Sequence, residues 1–293
     1  MSLLLQTPAA LLRRLTAKVA GGGASPLRGR TVLVTGASSG IGEATAYEVA
    51  ERGGHLLLVA RRADELERVR RGVEMRGGTA EVWPVDLTDA DAVDELVAAV
   101  LAEHGAVDFL VNNAGRSIRR SLELSYDRFH DFERTMAINY FAPLRLILGL
   151  LPAMRAQGFG HVVNVVTWGV QMKAPKFSAY IASKTALDTF SRIAGRETYG
   201  DNVTFSNVRL PLVRTGMIAA TEAYAQAPAM TVEAAARTVV RALEERPITV
   251  SVPVARVAEV VTLLAPRLTD AVAWAASRRV PDSAAARGAG SAG

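Results

Sequence analysis

Cysteine is absent from the 293 residues, which excludes a disulfide framework, a cysteine-ligated zinc or iron–sulfur centre, and any mechanism resting on a covalent thiol. Histidine is scarce, at four residues. None of the four, His130 and His161 included, stands at metal-ligand spacing, so they read as structural and no metal is expected. No uninterrupted apolar run approaches the ~18 residues of a membrane span. The leading Leu3-Leu4-Leu5 has no basic region before it, so a cleaved signal peptide is not expected and the chain reads as cytoplasmic. What is plentiful is core material: 49% hydrophobic against 22% charged residues excludes disorder for the bulk of the chain.

Net positive charge is missing from the middle of the chain. Residues 1–30 carry +5 and residues 246–293 carry +3, which leaves the intervening 215 residues at −3 out of a total of +5. A weakly acidic centre between basic ends does not suit a nucleic-acid groove, and no nucleic-acid partner is expected. An anionic surface or substrate fits better. In the first segment Leu4, Leu11, Leu12, Leu15 and Val19 share one helical face, Arg13, Arg14 and Lys18 lie elsewhere, and Gly21-Gly22-Gly23 ends the stretch. That pattern fits an interfacial membrane anchor, giving peripheral membrane contact, or a helix packed on its own domain or on a partner subunit.

From residue 31 short β-rich runs alternate with longer helical stretches, the pattern of an α/β, doubly wound parallel sheet with helices on both faces. Seven strands are predicted over 31–35, 55–60, 80–85, 107–111, 161–166, 204–209 and 248–252. Helices are predicted over 40–52, 63–76, 89–104, 127–156, 179–199 and 231–245. One domain therefore spans 31–252, preceded by a helix and glycine linker over 1–30. Two apolar segments divided by Pro266 follow within 253–280, a helical appendage that covers the site, packs on a subunit or lies on a bilayer. Residues 281–293, rich in Ala, Gly and Ser, read as a disordered tail.

The first strand runs into Thr35-Gly36-Ala37-Ser38-Ser39-Gly40-Ile41-Gly42, and a helix opens at once with Glu43. Glycines at 36, 40 and 42 let backbone N–H groups and a helix N-terminus approach a pyrophosphate, so this turn predicts dinucleotide binding. At the end of the second strand, where an NAD-preferring protein places an acid, stand Arg61 and Arg62. Two guanidinium forks suit a ribose 2′-phosphate, which points to NADP(H). Asp86, with Leu87, is placed for the adenine end. Asn112-Asn113-Ala114-Gly115 lets the chain pass close to the cofactor. Tyr180 and Lys184, four residues apart on a helix, share one face, and an ammonium beside a phenol favours its phenolate.

Taken together, Gly36-(x3)-Gly40-x-Gly42, Asn112–Gly115 and Tyr180-(x3)-Lys184 resemble the short-chain dehydrogenase/reductase family over residues 31–250. The resemblance implies a Rossmann-type fold, a homo-oligomer (dimer or tetramer), and a catalytic set of Asn139, Thr167, Tyr180 and Lys184. It further implies cofactor contacts at Pro211, Val213 and Thr215. Thr167 stands where the family places Ser; it keeps the hydroxyl, but its methyl takes space beside the nicotinamide. Leu212 stands where the family usually places Gly.

The stretches 113–120 and 127–134, Phe177-Ser178-Ala179-Tyr180 and Met217-Ile218-Ala219 are similar to the bacterial fatty acyl-CoA reductase branch, for which Leu212 is ordinary. That similarity implies an NADPH-dependent reductase of long-chain acyl-CoA or fatty aldehyde. Without cysteine, thioester reduction would proceed only by direct hydride delivery to the carbonyl. Arg116, Arg119 and Arg120, with Lys173 and Lys176, could form a cationic rim for coenzyme A phosphates, or a solvated loop. Met217, Ile218 and Tyr224 could wall an acyl chain. Two alternatives stand beside this reading: a ketone or secondary-alcohol dehydrogenase, and an NADP-binding protein without turnover.

Overall fold

The computed structural model describes residues 24–216, 227–283 and 285–287. The N-terminal segment through residue 23, together with Met217, Ile218 and Tyr224, lies outside the described residues. Seven parallel strands form one sheet in the order β3-β2-β1-β4-β5-β6-β7: β1 Thr31–Thr35, β2 His55–Ala60, β3 Thr79–Pro84, β4 Phe109–Asn112, β5 Gly160–Thr167, β6 Val203–Leu210 and β7 Thr249–Ser251. The predicted strands all form, with ends shifted by at most two residues. β4 starts at Phe109 rather than 107 because Asp108 is used as a cap, accepting from Thr31 N at 2.9 Å and Arg30 Nη1 at 2.7 Å.

Alternation along the strands sends side chains to two apolar layers. Val32, Val34, Leu56 and Leu58 pack against Val49 of α1 (Gly40–Ala50), Val69 of α2 (Ala63–Glu74) and, further along the sheet, the C-terminal helix that precedes β7. Leu33, Leu57 and Val59 face the other layer, with Leu96 of α3 (Ala90–His104). Consecutive strands leave β1 in opposite directions, β2 to one side and β4 to the other. The strand order therefore reverses there, and the carboxyl ends of β1 and β4 open the crevice in which such sheets bind ligands.

The helix predicted over 127–156 is three pieces: α4 (Phe129–Met136), a π turn over Ala137–Phe141, and α5 (Ala142–Ala156). The cause is in the sequence. Pro143 has no N–H to return to the carbonyl of Asn139, and Ala142 N–H instead reaches Ala137 O, five residues back. The extra residue turns Asn139 fully into the protein. As a whole, 129–156 is long and apolar enough to cross a membrane by length and composition, but its inner face, Leu146, Ile147 and Leu150, belongs to the second core layer.

After β5 come a short α6 (Gly169–Met172) and the long α7 (Ser178–Glu197); α8 (Val232–Glu245) closes the first layer. The appendage is two helices, α9 (Pro253–Leu264) and α10 (Pro266–Arg278). α9 is tied down by Glu259, which accepts from Gln171 Nε2 at 2.7 Å, while Gln171 accepts from Ser251 Oγ at 2.6 Å. Part of the stretch expected as a disordered tail is fixed. Ser121 N donates to Asp282 Oδ1 at 3.1 Å, and Arg120 Nη1 to Ala286 O at 2.6 Å, because this segment supplies carbonyls and a carboxylate to cations of the 119–121 loop.

Candidate active site

The glycine turn is a cradle built by side chains of the next loop. Thr35 Oγ1 donates to Val111 O and accepts from both Asn113 N and Ala114 N at 3.0 Å. Asn113 Nδ2 donates to Thr35 O at 3.0 Å and Gly36 O at 3.3 Å. The approach leaves no room for a side chain. A Cβ on Gly36, which also has φ of +64°, would lie 2.9 Å from Ala114 Cα, and one on Gly42 would lie 2.6 Å from Asn113 Nδ2. The turn therefore keeps its amides clear at the start of α1, where an anion is favoured.

Arg61 and Arg62 extend into solvent at the end of β2, 3.7 Å from Asp86 Oδ2 and 3.9 Å from Glu65 Oε1 respectively. Arg62 Nη2 also reaches Ser38 Oγ at 3.3 Å, so the second arginine is held over the glycine turn rather than left free. Asp86 is occupied locally: its Oδ1 accepts from Thr88 N and Thr88 Oγ1, chiefly the former, and these bonds hold its carboxyl below the usual range. Next to them Arg68 pairs with Glu43 through Nη2 and Oε2 at 2.9 Å, which neutralises the one acid in the first turn of α1.

α7 delivers Tyr180 and Lys184 to one end of the same cleft, and its buried face continues through Leu187, Asp188 and Ser191. Part of Tyr180 opens on the cleft, yet the protein around it disfavours the phenolate and pushes the phenol up to about 12. The nearby Thr167 hydroxyl pulls the other way. Lys184, expected to act on that phenol, instead directs its Nζ to Val165 O at 3.0 Å, and burial pushes the amine down to about 8. Thr167 Oγ1 accepts from Gly169 N at 3.1 Å, which leaves the hydroxyl proton for Tyr180 or a substrate oxygen.

Asn139 is not a lining residue. Its Oδ1 accepts from Arg116 N at 2.9 Å, and its Nδ2 donates to Arg116 O at 2.8 Å and Ser183 Oγ at 2.9 Å. Ser183 Oγ in turn donates to Tyr180 O at 2.7 Å. Asn139 thus fastens the loop after Gly115 to the helix that carries Tyr180. Gly115 is small for the same reason, since a Cβ there would sit 2.8 Å from Asn139 Oδ1 and 3.3 Å from Lys184 Nζ.

One cleft of about 1370 Å³ joins these parts. Among its lining residues are Gly36, Ser38, Ser39, Gly40, Ile41, Arg61, Arg62, Asp86, Leu87, Asn113, Ala114, Gly115, Thr167, Tyr180, Lys184, Pro211, Val213 and Thr215. The expected cationic rim divides. Arg116 lines the cleft, but Arg119 donates to Pro281 O and Val280 O at 2.9 and 3.1 Å, and Lys176 to Val280 O at 2.7 Å. With Arg120 on Ala286 O and near Asp131 at 3.4 Å, three of the expected cations hold the chain's own C-terminal stretch. Sequence spacing could not show that acceptors 104 to 166 residues away would reach them.

Glu133, Arg134, Trp168, Ala174, Phe177 and Pro228 also line the cleft and were not expected there. They are ordinary helix and loop residues whose signal is purely their place in the fold. His161 is fully buried, and burial pushes it down to about 3. As a neutral ring it donates from Nε2 to Ala242 O at 3.2 Å while Nδ1 accepts from Thr204 Oγ1 at 2.8 Å. His55, Glu81 and His104, scattered in sequence, meet at the amino end of β2: the carboxylate accepts from both Nε2 atoms, at 3.0 and 3.1 Å. None of the three lines the cleft.

The short chain dehydrogenase family model matches residues 30–226. A fatty acyl-CoA reductase of Acinetobacter baylyi is 44% identical over 262 residues, covering 89% of each chain. A fatty acyl-CoA reductase of Mycobacterium tuberculosis is 46% identical over 247 residues, covering 84% of each. The crystal structure of a metagenomic short-chain oxidoreductase in complex with NADP superposes with a TM-score of 0.67 at 31% identity, over 77% of this chain and 97% of that one. With the seven-stranded parallel sheet, the glycine cradle and the Tyr180–Lys184 helix, these matches place the chain in the short-chain dehydrogenase/reductase family, as an oxidoreductase of the Rossmann fold.

Proposed function

We propose that this protein reduces the carbonyl of a hydrophobic substrate with NADPH, and that the substrate is a long-chain fatty acyl-CoA or fatty aldehyde. The observation that carries the chemistry is the Thr167–Tyr180 hydroxyl pair at one end of a cleft whose other end is a glycine cradle flanked by Arg61 and Arg62. The cradle, in which a Cβ on Gly36 or Gly42 would collide, fits a pyrophosphate. The two guanidiniums and Ser38 fit a 2′-phosphate, and the NADP-bound relative supports the same choice. Lys184, Asn113, Pro211, Val213 and Thr215 would hold the nicotinamide end.

NADPH, when bound, supplies the hydride. The residues do the rest: Thr167 and Tyr180 donate to the carbonyl oxygen, and as charge develops there the Tyr180 proton passes to it. For a thioester this gives a hemithioacetal, whose collapse moves that proton to sulfur and releases aldehyde and free thiol. The chain has no cysteine, so no acyl thioester forms on the protein and the hydride goes directly to the bound substrate's carbonyl. The acyl-CoA reading rests on the two named relatives and on Arg116 at the cleft. The sequestration of Arg119, Arg120 and Lys176 favours a second reading, in which the substrate is a free aldehyde or ketone without a nucleotide handle.

The test is NADPH oxidation followed by absorbance with a long-chain acyl-CoA, the matching aldehyde and a set of ketones, against Tyr180→Phe. Thioester turnover that vanishes in Tyr180→Phe supports the first reading. Turnover of aldehyde or ketone alone overturns the acyl-CoA assignment, and no turnover of any carbonyl leaves the binding-protein reading. A homo-oligomer is part of the proposal, since Phe141, Leu148 of α5 and Ile193 of α7 each expose about half of their surface.

A further inference from the structure

The two helices of the appendage have their amphipathicity turned outward. On α9 the inward residue is Ala255, fully buried, with Glu259 bonded to Gln171. Val254, Val257, Val261 and Leu264, at i, i+3, i+7 and i+10, form one stripe on the opposite face and expose 61, 64, 42 and 81% of their surface. α10 exposes apolar side chains on two sides, Leu268 with Val272 on one and Trp274 beside Arg278 on the other. Thr269, Ala273 and Ser277 turn toward the protein, while Leu268, Val272 and Trp274 are at least 60% exposed, and α10 has no buried residue. A helix folded only for its own domain would face the other way, because burying those stripes is what would stabilise it.

Charge decides what covers this face. Arg267 starts α10, Arg278 and Arg279 end it, and Arg278 lies 5.0 Å over the Trp274 ring. Of the two acids on the helices, Glu259 is turned to Gln171 and to Arg209, which leaves Asp270, one turn before Trp274, as the single acid set against Arg267, Arg278 and Arg279. A second copy laid on this face would set arginines against arginines. The chain's own segment 1–23 would do the same, since it carries Arg13, Arg14 and Lys18 and no acid. The complement of outward apolar faces flanked by arginines and by a tryptophan is an anionic lipid surface.

We infer that the outward faces of α9 and α10 form a docking surface for a bilayer containing anionic phospholipid. The inference does not depend on which carbonyl is reduced. Its placement is nonetheless suited to a lipophilic one: α9 rests on α6, whose Gly169 lines the cleft, and the chain leaving α10 is held by Arg119 and Lys176 beside Ala174 and Phe177, which also line it.

The experiment is co-sedimentation of the full-length protein with vesicles of phosphatidylcholine containing phosphatidylglycerol, and with phosphatidylcholine alone, joined to Trp fluorescence. The variants are Leu264→Glu with Leu268→Glu, Trp274→Phe, and Arg13→Glu with Arg14→Glu. Because Leu264 and Leu268 are exposed, unchanged NADPH binding serves as the check on folding. The expected result is binding to the anionic vesicles, weakened by salt, reduced at least tenfold by Leu264→Glu/Leu268→Glu, with a blue shift that Trp274→Phe removes. Absence of binding to anionic vesicles overturns the inference. So does binding that the leucine variant keeps and Arg13→Glu/Arg14→Glu abolishes, or a leucine variant whose only change is a smaller oligomer.

Discussion

Gly169 makes the room that the methyl of Thr167 needs: a Cβ at 169 would lie 3.3 Å from Thr167 Cγ2 and 3.1 Å from Ile181 Cδ1, while Gly169 N donates to Thr167 Oγ1. The position that departs from the family's Ser is thus accommodated two residues later. Thr167→Val, which keeps shape and removes the hydroxyl, is expected to lower kcat by about 100-fold or more, the effect of losing one donor to a developing oxyanion. Thr167→Ser should retain activity. Gly169→Ala, which crowds the methyl, should lower kcat without changing NADPH affinity. Steady-state kinetics beside NADPH titration checks all three.

Lys184 makes stability depend on pH. Its amine sits near 8 in the folded protein against 10.5 in the unfolded chain, because burial disfavours the ammonium. The unfolded chain therefore binds more protons between those values, and the contribution of this group to stability rises with pH across them. Below pH 8 the full cost, about 3 kcal/mol, is present; above 10.5 it is gone. Lys184→Met should accordingly be more stable than the parent at pH 7, by an amount that shrinks toward pH 10, and should lose activity. Urea unfolding at several pH values measures it.

Arg61 and Arg62 are expected to set cofactor choice. Replacing both by Ala should raise the Kd for NADPH at least tenfold and leave that for NADH nearly unchanged, since only the former has the phosphate that two guanidiniums would hold. Cofactor fluorescence titrations decide it, and equal losses for both nucleotides would place the arginines elsewhere than on the 2′-phosphate.

Asn113→Ala removes two of the bonds that pin the glycine turn to the fourth strand's loop. A loss of about 1–3 kcal/mol in stability is expected from the carbonyls left without partners, together with weaker NADPH binding. Thermal unfolding with and without cofactor separates the two effects.

For the substrate, Arg116 and Arg119 should behave differently. Arg116→Ala is expected to raise KM for acyl-CoA several-fold and not for the aldehyde, because Arg116 lines the cleft. Arg119→Ala loses bonds to Val280 O and Pro281 O, so it should loosen the C-terminal stretch to proteolysis with little change in KM.

Most of the sheet and the cofactor end of the cleft were legible because their signals are local. β-rich runs of the right length become strands, glycines followed at once by a helix become the cradle, and a Tyr and Lys four apart become one face of α7. The break in the helix over 129–156 was also written in the chain, as Pro143, but it shows only when one asks which carbonyl that proline leaves free. The roles of Lys184 and of the arginine rim were not legible. They depend on whether Val165 O, Val280 O or Ala286 O arrives within bonding distance, and no spacing encodes that. The meeting of His55, Glu81 and His104 is of the same kind.

By itself, the sequence determined the element order, the two-faced core, the dinucleotide turn and the absence of a cysteine nucleophile, since each follows from periodicity, backbone freedom or composition. Only the tertiary structure decided which cations stay at the cleft, which hydroxyl lies beside the Tyr180 phenol, and which way the apolar side chains of α9 and α10 face. Those outcomes are set by contacts between residues far apart in the chain, where burial and partner geometry outweigh anything local.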